Sequence, residues 1–172
     1  MQKNFSYPIK IDELNQQQYK YVLQADKDEL EDIARILQVE SVRRFYAEVC
    51  VKRNNKENNL RVWGRVEARL ELQSVISLEN FFRNLKVPFE LNFDTQATYQ
   101  DIHDMKAGIN DDLPDIIIDG TINLADICIE QIALNIEDYP RAEGEVFDYT
   151  QYNKSEPFEK ENPFAVLKKL KK

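Results

Sequence analysis

Residues 60–73 read LRVWGRVEARLELQ, and their alternation decides the fold. Leu60, Val62, Gly64, Val66, Ala68, Leu70 and Leu72 take the even positions, with Arg61, Trp63, Arg65, Glu67, Arg69, Glu71 and Gln73 between them. Successive side chains of a strand point to opposite faces, so this period predicts one strand with a dry face and a wet face. A helical period would scatter the same apolar residues around a whole circumference. At about 3.3 Å per residue the stretch spans roughly 45 Å, well beyond an ordinary strand. Such a strand is expected to bend, and Gly64 is the natural place. Its wet face carries three arginines and a tryptophan.

Upstream, residues 41–52 alternate as well, with Phe45, Ala47, Val49 and Val51 inward and Tyr46, Glu48, Cys50 and Lys52 outward. The turn-rich RNNKENN (53–59) joins the two stretches as a hairpin. Inward positions are odd on one strand and even on the other, so facing residue numbers must sum to an odd value. A sum of 113 sets Glu48 opposite Arg65 and Cys50 opposite Trp63. Cross-strand pairs of opposite charge are worth roughly 0.2–1 kcal/mol.

Farther out, residues 5–11 read as an edge strand because of Pro8, and 21–23 as a short second strand. Asp26 with Glu29 forms a capping box for a helix to about Leu37, whose stripe is Leu30, Ile33, Ala34 and Leu37. After Gln73 the pattern predicts a turn at 74–79, a crossing segment at 80–84 and a strand through Val87, Phe89, Leu91 and Phe93. Residues 95–115 read as an acidic, mobile loop. Residues 116–118 read as a short buried strand. Asn123 caps a helix with stripe Leu124, Ile127, Cys128 and Ile132 that stops by Pro140. Residues 1–145 are therefore expected to form a single α+β domain. Its sheet is curved and antiparallel, open or barrel-like, with two packed helices. Residues 146–172 are expected to form a polar arm ending in a basic helix, started by Asn162-Pro163, with Phe164, Leu167 and Leu170 on one side.

The 172 residues carry a net charge of −8, placed unevenly. Residues 43–69 hold eight basic and three acidic groups, a balance of +5, whereas 70–145 hold four and sixteen, a balance of −12. A basic hairpin in an acidic protein can turn one face toward a polyanion. No window is apolar enough to span a membrane and the N-terminus lacks the apolar run of a signal peptide. Cys50 and Cys128, the two cysteines, suit buried thiols in a reducing cytoplasm.

Catalytic and metal chemistry find no support. His103 is the sole histidine and has neither ligand companions nor a triad nucleophile. Asp111, Asp112, Asp115 and Asp119 lack calcium-loop spacing and read as a solvated acidic loop. The four glycines form no phosphate loop. The expectation is a protein that is not an enzyme and has no cofactor. The candidate RNA-binding residues are Arg61, Trp63, Arg65 and Arg69, then Lys52 and Arg53, then Lys168, Lys169, Lys171 and Lys172. Guanidinium groups fork onto phosphates and an indole stacks on an unpaired base. From the strand alone, a surface held by Arg–Glu pairs with Trp63 tucked against a neighbour is the preferred alternative.

Four stretches together resemble the bacterial YceD family, named for large-subunit ribosomal RNA accumulation. They are ADKDELEDIARILQV (25–39), VWGRVEARLELQSVISLE (62–79), DIIIDGTINLADICIEQIALNIEDYPRAEG (115–144) and NPFAVLKKLKK (162–172). The resemblance implies a cytoplasmic, non-enzymatic factor for 23S rRNA accumulation and large-subunit biogenesis, acting on 23S rRNA or a precursor particle. An acidic adaptor for a basic large-subunit ribosomal protein is the alternative. The family pattern has cysteine where Ser74 stands, and often at Ser77. Here the segment is SVIS, so no thiol or metal role is carried over.

Overall fold

The element order is β1 (Pro8–Lys10), a 3-10 turn (Ile11–Glu13), β2 (Gln18–Gln24), α1 (Lys27–Leu37), β3 (Ser41–Asn54), β4 (Asn59–Gln73), β5 (Asn80–Asp94), β6 (Asp115–Ile116), β7 (Thr121–Asn123) and α2 (Leu124–Ala133). This computed structural model describes residues 4–96, 115–117 and 119–147. The chain divides into two compact units, Met1–Ala142 and Glu143–Lys172, and every element named above belongs to the first. The predicted C-terminal helix, His103, Asp111, Asp112 and nearly all of the predicted loop lie outside the described residues.

Strands β2 to β5 form an antiparallel meander, and β6 adds a short parallel pairing at Phe93 and Asp94. The order β2-β3-β4-β5-β6 leaves β2 and β6 at opposite margins, so the sheet is open and not closed into a barrel. Strands β1 and β7 make a separate two-stranded sheet. The architecture is α+β, with α1 against β3 and α2 against β4, β5, α1 and β1.

On β4 the even side chains are buried apart from Gly64, which is half-exposed. Across β3 and β4 the facing numbers sum to 113 from Arg44 to Asn54, with Glu48 opposite Arg65 and Cys50 opposite Trp63. At the start of β3 the register shifts between Val42 and Arg44. This is a β-bulge, one residue more on β3 than on its partner. Val42 and Phe45 are both buried, while Arg43 and Arg44 between them are both exposed. The bulge thus turns two consecutive arginines to the same wet face.

Gly64 is required by the close approach of β3. A Cβ there would stand 2.0 Å from the backbone oxygen of Glu48 and 3.0 Å from Val49 Cα. Its backbone avoids the left-handed region, so close approach of the two strands excludes a side chain. Strand β5 also begins earlier than expected. Residues 80–84 are the first part of one fifteen-residue strand, paired with β4 from Gln73↔Asn80 onward. Pro88 is tolerated because β5 has β6 on its outer side only at its last two positions.

Helix α1 starts as its sequence dictates. Glu29 N donates to Asp26 Oδ1 at 3.0 Å and Asp26 N donates to Glu29 Oε2 at 2.9 Å. It ends at Gln38, which takes left-handed backbone at φ 56°. Helix α2 is capped by Asn123, whose Oδ1 accepts from Ala125 N and from Tyr7 N, tying β1 to the helix start. The helix stops at Ala133, within the limit set by Pro140. Leu124, Ile127, Cys128 and Ile132 are buried as the stripe requires, joined by Ala125 and Ile129. Burial pushes the Cys128 thiol up to about 12, so it is an uncharged core residue. Cys50, expected to be buried too, is half-exposed on the wet face. No helix among the described residues is long and apolar enough to cross a membrane.

Candidate nucleic-acid interface

The wet face is assembled by register. Opposite β4 residues Arg61, Trp63, Arg65, Glu67 and Arg69 stand Lys52, Cys50, Glu48, Tyr46 and Arg44 of β3. On the other side, β5 contributes Asn92, Glu90, Pro88, Lys86 and Asn84 in the same order. Lys20 of β2 completes one row beside Cys50. Side chains on a shared face lie close enough along these rows to interact.

The two ends of this face differ. At the hairpin end, Arg61 Nε donates to Glu90 Oε1 at 2.8 Å, and the same guanidinium lies 4.9 Å from the Trp63 ring centroid. This hydrogen bond holds Glu90 below the usual carboxylate range and pushes Arg61 up. Arg61 is therefore matched one to one by Glu90, with Lys52 standing opposite it across β3, and the indole already carries a cation on its face. In the middle, Tyr46 O–H donates to Glu48 at 2.8 Å and Lys20 pairs with the same carboxylate at 3.1 Å. Glu48 is lowered chiefly by the tyrosine bond, with Lys20 next.

Toward the bulge the balance breaks. Glu67 is shared by Arg65 at 3.2 Å, Lys86 at 3.4 Å and, loosely, Arg44 at 3.9 Å. Arg69 stands directly opposite Arg44 and lies over the Phe82 ring, its guanidinium carbon 4.7 Å from the centroid. Three cations thus share one carboxylate, and Arg69 stands beside Arg44 as a fourth. Arg43 is committed to Glu71 at 3.0 Å and also approaches Phe82 at 5.8 Å. Glu71 is held low first by the Ser41 hydroxyl and then by Arg43. Phe82 remains 47% exposed.

Of the residues singled out from sequence, Arg61, Trp63, Arg65, Arg69 and Lys52 share this face. Arg53 does not join them. It lies on the core side, donating through Nη1 to the Ile11 carbonyl at 2.9 Å with Asp12 beside it. Lys168, Lys169, Lys171 and Lys172 fall outside the described residues. Reasoning along the chain missed Arg43, Arg44, Phe82 and Lys86, which only strand pairing brings beside Arg69 and Glu67. Val42-Arg43-Arg44-Phe45 did carry one signal: two apolar residues three apart break the alternation.

Ser74 and Ser77 share the turn between β4 and β5. Buried Ser74 Oγ accepts from Ile76 N at 3.1 Å and Ser77 N at 3.4 Å. The segment after α2 docks on this turn, with Val75 N donating to the Pro140 carbonyl at 3.0 Å. Arg83 clamps it from β5, donating to the Arg141 carbonyl at 3.0 Å and pairing with Glu137 at 3.2 Å.

No curated protein and no solved structure matches the chain. A family model, described as large ribosomal RNA subunit accumulation protein YceD, matches residues 62–171. The matched span holds most of β4, all of β5, the Ser74 turn and α2, and it covers well over half of the chain. The chain therefore belongs to the YceD family, whose name links it to accumulation of large-subunit ribosomal RNA.

Proposed function

We propose that this protein is a cytoplasmic, non-enzymatic factor that supports 23S rRNA accumulation and large-subunit biogenesis by binding rRNA or a precursor particle with the wet face of its sheet. The observation that carries this reading is the charge on that face. Lys20, Arg43, Arg44, Lys52, Arg61, Arg65, Arg69 and Lys86 are set against Glu48, Glu67, Glu71 and Glu90, in a protein of net charge −8. A local cationic surface on an acidic molecule engages a polyanion in one orientation and limits indiscriminate binding. Exposed aromatic and arginine groups on a sheet suit RNA with accessible bases and backbone.

Crosslinking in growing cells, followed by purification and sequencing of attached RNA, tests the proposal. Enrichment of 23S or precursor sequences is expected. Absence of rRNA above background, with a basic ribosomal protein retained after nuclease treatment, would replace it with the acidic-adaptor reading.

A further inference from the structure

Arg44 and Arg69 face each other across β3 and β4, an arrangement that strand pairing alone disfavours. Lys52 and Arg61 also face each other, but two features set the Arg44–Arg69 pair apart. The bulge adds a residue to β3 at this point, and the neighbouring carboxylate, Glu67, is already divided among Arg44, Arg65 and Lys86. The groove here encloses about 510 Å³, lined by Arg43, Arg44, Glu67, Arg69, Asn84 and Lys86 among others. Its floor is the sheet itself, so the cations stand on rigid elements.

We infer that this bulge-centred groove, and not the Arg61–Trp63 end of the same strand, is where the RNA backbone is held, with Arg44 and Arg69 taking phosphates and Lys86 and Arg65 flanking them. The inference rests on the RNA-binding reading above and locates its contact. At the hairpin end Arg61 has Glu90 as a one-to-one partner, so a phosphate there would have to displace a carboxylate. In the groove, three cations share one carboxylate and a fourth has an aromatic ring instead. An incoming phosphodiester relieves the Arg44–Arg69 repulsion as it binds. Guanidinium pairs recognise phosphate in forked geometry, which a lone ammonium does not.

The test uses the full chain and a labelled single-stranded oligoribonucleotide of 23S sequence, titrated by anisotropy at several salt concentrations. Two double variants remove equal charge: Arg44→Gln with Arg69→Gln, and Lys52→Gln with Arg61→Gln. The groove variant is expected to lose at least about tenfold in affinity. Its log–log salt slope should shrink by about 1.4, two phosphates' worth on a single strand. The hairpin variant should change little. Glu67→Gln supplies an independent reading with opposite signs, a lower melting temperature but about two- to fivefold tighter binding. Equal losses in both double variants, a larger loss at the hairpin end, or weaker binding by Glu67→Gln overturns the groove while RNA binding stands. No binding by the wild-type protein at low salt overturns both.

Discussion

Gly64 lies against the β3 backbone so closely that a single added carbon would stand 2.0 Å from the Glu48 oxygen. Backbone cannot swing aside as a flexible side chain can, so Gly64→Ala must separate the two central strands. Overpacking of this kind is destabilising by about 1–3 kcal/mol. Urea unfolding is expected to show a midpoint lowered accordingly, with an unchanged slope if the two-state transition persists. The glycine was visible in the sequence as the one apolar-face position without a side chain. Its reason was not, because the clash partner is sixteen residues away and meets it only through pairing. Arg69 makes the same point for function: its register neighbours Arg44 and Asn84 come from other strands. No local pattern announces a like-charge pair.

At the level of elements, legibility followed periodicity and caps. Strand β4 could be read because fourteen residues alternate without a break, and that parity also limited its register with β3. The bulge escaped because its extra residue is an arginine beside an arginine, which leaves the polar pattern superficially intact. The first part of β5 escaped because Phe81 and Phe82 are adjacent and only the former packs against the core. Helix α2 was placed at its start by Asn123, whereas Pro140 set only a limit for its end, since Leu134 continues the apolar run yet is 72% exposed. Helix α1 was readable at its start because its capping box is entirely local. Asp26→Ala removes the acceptor for Glu29 N and is expected to lower stability by about 1 kcal/mol, measured by thermal or denaturant unfolding.

For the whole molecule, the wet face links stability to pH. Glu48, Glu71 and Glu90 are each held below the ordinary carboxylate range, by Tyr46, Ser41 and Arg61 in turn as the leading cause. Their unfolded values lie near 4.3. The stability they contribute is complete above the unfolded value and is lost as pH falls through the lower folded values. Melting temperature is therefore expected to be level from neutrality to about pH 5 and to decline below it, with a shallower decline in Glu48→Gln. Thermal scans across that range check it. A uniform fall beginning at pH 7 would place the dependence elsewhere.

Strand β3 has one amino acid more than its pairing with β4 needs. Were Arg43 excised, the order would become Val42 inward, a single arginine outward, Phe45 inward, and the ladder would run without interruption. The interior would keep its sequence of apolar contacts, and the molecule would lose one positive charge at its rim. By this geometry the supernumerary residue adds nothing to the apolar interior, and what it contributes is made on the wet face, through Glu71 and the Phe82 ring.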